Sequence, residues 1–138
     1  MPFTYYVDNG LIGLLFNNTA FSALATVYLA VSTTTPSQTK GSVPYWNFTE
    51  PVGNGYARVA VTANATDFPT PTVGSTNNAV SVAFPQATGP QGTVTYFGWF
   101  DAATNGNLIG YGALNTSQTI VSGNVLTFAI GQLTMSNN

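Results

Sequence analysis

Apolar side chains along this chain fall mostly at alternate positions, or in short runs bounded by glycine, proline and asparagine. That spacing predicts strands at close, turn-bounded intervals with little helix. The strongest pattern lies over residues 93–114. It reads as two strands joined by a hairpin loop and carries Tyr96, Phe97, Trp99, Phe100 and, on the return, Tyr111. Strict alternation puts Val94, Tyr96 and Phe100 on one face and Phe97 and Trp99 on the other. A strand that is apolar on both faces must be covered on both, so it is expected inside a two-layer β domain or against another subunit. Its turn, residues 101–107, contains Asn105-Gly106, a pair suited to positive φ. Gly98, Gly110 and Gly112 predict bulges, or places where an aromatic ring lies against bare backbone.

The rest of the chain reads as shorter pieces. Residues 21–31 form the longest apolar run, too short to span a bilayer, and read as a buried strand centred on Val27, Tyr28, Leu29 and Val31. Before it, Asp8-Asn9 predicts a cap for a short helix over residues 10–16, with Leu11, Ile12, Leu14, Leu15 and Phe16 on its apolar side. Gly10 and Gly13 weaken that helix, and the alternative is an N-terminal arm, residues 1–20, lying on a neighbouring subunit. Residues 32–54 look like a long connection broken by Pro36, Pro44 and Pro51, yet Tyr45, Trp46 and Phe48 crowd three rings into it. Residues 56–65 predict a strand with Tyr56, Arg58, Ala60 and Thr62 on one face and Ala57, Val59, Val61 and Ala63 on the other. A loop over 67–78 leads to a strand over 79–84, ended by Pro85. Residues 118–121 and 125–130 read as a second hairpin around Ser122-Gly123-Asn124, and 132–135 closes the domain. The expected fold is all-β: one antiparallel β-sandwich over residues 1–138, jelly-roll-like or a partly closed barrel, with a short N-terminal helix or arm.

Charge changes the picture most. Only Asp8, Lys40, Glu50, Arg58, Asp67 and Asp101 are formally charged, 4% of 138 residues, against about 25% in an ordinary soluble domain. Polarity comes instead from 21 Thr and 14 Asn. A net charge of −2 gives little colloidal repulsion, which points to a surface largely covered in a permanent assembly. Two basic residues argue against nucleic acid as a partner and against an anionic membrane surface. With no cysteine there is no disulfide and no thiolate metal site.

Without histidine, Ser-His-Asp and Cys-His arrangements and His-ligated metals cannot be built. An acid pair for glycoside hydrolysis is the one catalytic option left, but the four carboxylates lie in four different segments. No catalytic residue, metal or cofactor is expected. Arg58 is expected in a structural ion pair with Glu50 or Asp101, the alternative being a part-exposed guanidinium whose stem covers apolar surface. Tyr45, Trp46 and Phe48 could stack on sugar rings, but an interface anchor or a loop plug is the commoner use of such rings. Leu11, Leu14, Leu15, Phe16, Tyr45, Trp46, Phe48 and Trp99 are therefore the candidates for contact with a partner.

The stretch Glu50…Gly53-Asn54-Gly55-Tyr56-Ala57-Arg58-Val59 is followed by residues 80–84, by Gly92-Thr93-Val94-Thr95-Tyr96-Phe97 and by residues 100–108 with Tyr111-Gly112-Ala113-Leu114. Together these resemble a group of small tailed-phage virion structural proteins, labelled tail fibre proteins or capsid decoration (cement) proteins, from about residue 10 onward. The aromatic stretch 43–48 and the proline-rich stretch 68–73 depart from that compact pattern. The resemblance implies a non-enzymatic, oligomeric component of the virion surface. The first expectation is a cement protein on the head, a dimer or trimer that binds the major capsid protein and its own copies, with residues 1–16 and 43–48 reaching the capsid. The alternative is a tail-fibre or tail-tip module that binds host surface glycans.

Overall fold

The computed structural model describes residues 3–137. Among them one helix, α1 (Tyr5–Phe16), precedes β1 (Thr26–Ser32), β2 (Ser37–Gln38), β3 (Trp46–Asn47), β4 (Val59–Thr62) and β5 (Ser75–Asn77). The chain continues through β6 (Val82–Ala83), β7 (Gly92–Phe100), β8 (Leu108–Ile120), β9 (Thr127–Phe128) and β10 (Thr134–Ser136). Four strands make the main sheet in the order β4-β1-β7-β8, all neighbours antiparallel. Three small two-stranded sheets, β10-β5, β2-β3 and β6-β9, surround it. The main sheet ends at β4 on one side and β8 on the other, so the architecture is a sandwich and not a closed barrel.

β7 lies between β1 and β8 and is covered on both faces, as a strand apolar on both sides requires. On one face Leu29, Val31, Val61, Phe97 and Trp99 pack against Val82, Phe84, Ala87, Phe128 and Leu133 of the second layer. On the other, Ala30, Phe100 and Leu108 lie under Tyr28, Trp46, Phe48 and Tyr111. The loop that holds β2 and β3 is thus a lid on the outer face, and each of its large rings replaces water over apolar strand surface. Gly98 makes room for it: a Cβ there would stand 2.6 Å from the Phe48 ring. The turn after β7 takes the expected form, with Asn105 at φ 54° and Gly106 at φ 71°.

Several sequence expectations need correction. Val94 joins the face of Phe97 and Trp99 instead of that of Phe100. The register shifts between Val94 and Tyr96, and strict alternation fails across such an irregularity. The helix begins at Tyr5 after Thr4, and Asp8 sits in its first turn instead of capping it. Thr4 fixes the start because its N–H reaches the Ile109 carbonyl at 2.9 Å and its hydroxyl donates to the Leu108 carbonyl. Val7 is the buried helical residue, while Ile12, Leu14, Leu15 and Phe16 face outward. The strand expected over 21–31 starts only at Thr26. Phe21 folds back on the helix, its ring so near Gly10 that a Cβ would meet it at 2.5 Å. No second hairpin forms over 118–130, since β8 runs on to Ile120 and β9 pairs with β6. The strand expected over 56–65 shortens to β4, and the loop over 67–78 contains β5, which pairs with β10. Met1 and Pro2, the first residues of the expected arm, lie outside the described residues.

Candidate functional site

The charged centre of the molecule is a clamp built on Arg58. Its Nε and Nη2 donate to Glu50 Oε1 and Oε2 at 2.9 and 2.7 Å. Its Nη1 donates to the carbonyls of Ala102 and Asn105, both at 2.8 Å, and the guanidinium carbon stands 3.6 Å from the Phe100 ring centroid. The Arg58 side chain is 7% exposed and that of Glu50 23%, so the guanidinium is the more sheltered partner, and removing Glu50 would leave it uncompensated at a cost of up to about 3–5 kcal/mol. Of the two expected acids, Glu50 is the partner. Asp101 is used within its own turn, where it accepts from the Asn107 N–H at 2.6 Å and from Asn107 Nδ2 at 2.8 Å. The Tyr6 phenol is pushed above its ordinary range by burial and by the Asp101 carboxylate.

Tyr56 extends the clamp into the sheet. Its hydroxyl donates to Glu50 Oε1 at 2.7 Å and accepts from the Val31 N–H at 3.3 Å. Burial, and then the adjoining Glu50, push the phenol far above its usual range. Sequence alternation placed Tyr56 on the Arg58 face; instead its ring stacks on Phe84 at 6.0 Å, because the chain turns at Gly53–Gly55 before β4 begins. The clamp positions loops and turns; it offers no open acid or base to a substrate.

The aromatic loop is largely consumed inside the molecule. Phe48 meets Phe100 edge-on at 5.4 Å and Tyr45 meets Tyr5 at 6.4 Å, while Trp46 packs over the outer face. Trp99, expected among the partner contacts, is instead 2% exposed and lies within the core of its own chain, where its ring packs between the two layers. Its Nε1 has no hydrogen-bond partner among the described residues.

The helix differs at its two ends. Its start is held by Thr4 on β8 and by Gln38, whose Oε1 accepts from the Tyr5 N–H at 2.7 Å and whose Nε2 donates to the Phe3 carbonyl at 3.3 Å. Its last turn is bare, with Leu15 71% and Phe16 83% exposed; Leu14 is exposed as well and Leu11 half-buried.

Two concave surfaces escaped the sequence reading. A groove of about 450 Å³ runs beside the far half of β8, rimmed by Asn115, Gln118, Asn124 and Gln132 over a floor that includes Phe97, Leu126 and Phe128. Its only sequence signal is the uncharged polar run after Leu114; residues 114–117 fall in the register shift, and Gln118 and Thr119 pair with β7 again. A smaller apolar cavity of about 180 Å³ lies between Phe3, Val27, Ala63, Phe68, Trp99 and Met135. Residues so far apart in the chain leave no local pattern. Among the described residues no three His, Cys, Asp or Glu side chains gather as metal ligands, and no helix is long and apolar enough to cross a membrane.

The chain is thus a charge-poor, mostly antiparallel β protein whose one arginine is engaged internally and whose helix ends in bare apolar side chains. A family model described as Podophage GP4 fiber I protein gp80 matches residues 2–136, and the chain belongs to that family of phage virion structural proteins. The resemblance read from the Gly-Tyr-Ala-Arg stretch and the aromatic hairpin thus holds, with fibre the label that the family carries. A comparison with curated proteins finds no match.

Proposed function

We propose that this chain is a non-enzymatic fibre subunit on the tail of the particle, and that the groove beside β8 receives a neutral saccharide of the host surface. The fibre reading draws on the family; the saccharide reading is carried by the lining of the groove. None of the six ionised residues lies in it, so a phosphate or an acidic sugar would find no counter-charge there. Amide side chains offer a donor and an acceptor each, the pairing that sugar hydroxyls need, and the apolar floor suits the C–H face of a pyranose. A volume of about 450 Å³ falls within the usual range for small-ligand sites, about 300–1,000 Å³. Among the described residues the side chains of Asn115, Asn124 and Thr127 make no hydrogen bond within the chain, while Gln118 Nε2 donates to the Thr116 carbonyl at 3.5 Å and Gln132 Oε1 accepts from the Ala129 N–H at 2.8 Å, each leaving its other amide atom free for a ligand.

Titration of the purified chain with short neutral gluco-, galacto- and rhamno-oligosaccharides tests this. At least one series is expected to bind, and the Asn115→Ala/Gln118→Ala variant is expected to weaken it about tenfold. Trp46→Leu, on the opposite face of the main sheet, is expected to leave binding unchanged. Absence of binding by all three series, or loss through Trp46→Leu alone, would overturn the assignment.

A second reading, a cement protein on the head, draws on the exposed Leu15 and Phe16. It calls for the same apolar burial against a different neighbour, and the place of the chain on the particle separates the two.

A further inference from the structure

We propose that the Asn105-Gly106 pair in the turn between β7 and β8 is a self-modification site, where Asn105 loses its side-chain amide as ammonia and becomes aspartate or isoaspartate. The inference is independent of both the fibre reading and the saccharide groove.

The reaction needs only the chain and water. The Gly106 nitrogen gives up its proton and attacks Cγ of Asn105; the Cγ–Nδ2 bond breaks, and the leaving nitrogen takes up a proton and departs as ammonia. A five-membered imide remains, and water opens it at either carbonyl to give aspartate or isoaspartate. Glycine in the following position favours closure because no Cβ obstructs the approach.

The chain holds three such pairs, Asn9-Gly10, Asn54-Gly55 and Asn105-Gly106, and the fold separates them. Asn9-Gly10 lies inside α1, where the helical ladder takes up the Gly10 N–H. The other two share a backbone form, with both residues of each pair at positive φ. Their partners differ. Asn54 Nδ2 donates to the Pro90 carbonyl at 2.6 Å, which ties its amide to a neighbouring loop. Asn105 and Gly106 are exposed, and among the described residues neither the Asn105 side-chain amide nor the Gly106 N–H makes a hydrogen bond.

The Arg58 clamp adds what local sequence lacks. Deprotonating the Gly106 nitrogen spreads negative charge onto the Asn105 carbonyl oxygen, and that oxygen accepts from Arg58 Nη1 at 2.8 Å. A bond from a guanidinium to the charged form lowers the cost of making it. The corresponding oxygen of Asn54 accepts from uncharged groups, the Thr88 N–H and Gln91 Nε2, each at 2.9 Å. The Asp101 carboxylate also borders Gly106, but both its oxygens are engaged by Asn107. The turn itself keeps the glycine, since a Cβ there would stand 2.5 Å from Asp101 Oδ1 and 2.7 Å from the Ala102 Cβ. Isoaspartate lengthens the main chain beside the carbonyl that Arg58 holds, so conversion loosens the clamp.

The purified full chain is aged in mildly alkaline buffer, digested, and followed by mass spectrometry with fragmentation that distinguishes isoaspartate from aspartate. Asn105 is expected to convert at least about tenfold faster than Asn9 or Asn54, the effect of one hydrogen bond to a charged group. In urea, which dissolves the clamp, the three pairs are expected to convert at similar rates. Asn9 or Asn54 leading in the folded chain, no conversion at Asn105, or a lead of Asn105 that persists in urea would each overturn the proposal. Converted chain is also expected to unfold at lower urea than fresh chain, and an unchanged midpoint would overturn the link to the clamp.

Discussion

Tyr56, Glu50 and Arg58 show how a chain with so few charges uses them. The guanidinium satisfies a carboxylate, two carbonyls and an aromatic face at once, and the carboxylate in turn accepts from the phenol. The pairing of Arg58 with an acid was legible because a lone arginine on a strand had few partners to choose from. The part played by Tyr56 was not, because the turn before β4 rotates it out of alternation. The phenol ionises at 10.0 in its ordinary state and higher when folded. The stability that comes from keeping it neutral is therefore fully present below pH 10.0 and is lost as pH rises above it. Tyr56→Phe is expected to cost about 1–2 kcal/mol in urea denaturation at neutral pH, by leaving the Val31 N–H unpaired and taking a donor from Glu50. The gap between the two proteins should narrow as pH rises above 10.0; a constant gap would contradict the role given to the phenol.

Among the elements, β7 was the most legible, since rings on both faces demand cover on both. What covers the outer face was less so. The prolines of residues 32–54 announced a loop, but only the close approach of Phe48 to Gly98 shows that the loop is a lid. Gly98→Ala is expected to destabilise the protein by about 2 kcal/mol, because the new methyl meets the ring and Leu108 closes the other side. Adding Phe48→Leu should recover part of that loss in a double-mutant cycle, whereas simple additivity of the two costs would argue against the contact. The second hairpin illustrates the converse failure. Ser122-Gly123-Asn124 carries good turn chemistry, yet β9 finds its hydrogen bonds on β6, and local turn preference cannot report which strand stands nearby. The helix was expected from its apolar residues. Its exposed end runs against the burial that such residues usually find, and a side chain as bare as Phe16 is a signal of assembly only once the fold shows it bare.

At the scale of the whole molecule, the low charge and the bare helix end argue the same way. A sandwich whose surface is mostly threonine, asparagine and exposed aliphatic side chains has little repulsion to hold copies apart. The chain's family is one of phage virion structural proteins, and a surface of this kind is consistent with a place on a particle. Composition excluded most catalysis and argued against nucleic acid from the start. It could not divide head from tail, because both places ask for a neutral, β-rich, assembling subunit. The most direct measurement is cryo-electron microscopy of particles carrying a gold-labelled form of this chain. The account predicts label on the tail, in several copies per particle; label confined to the head shell, or particles without label, would contradict it.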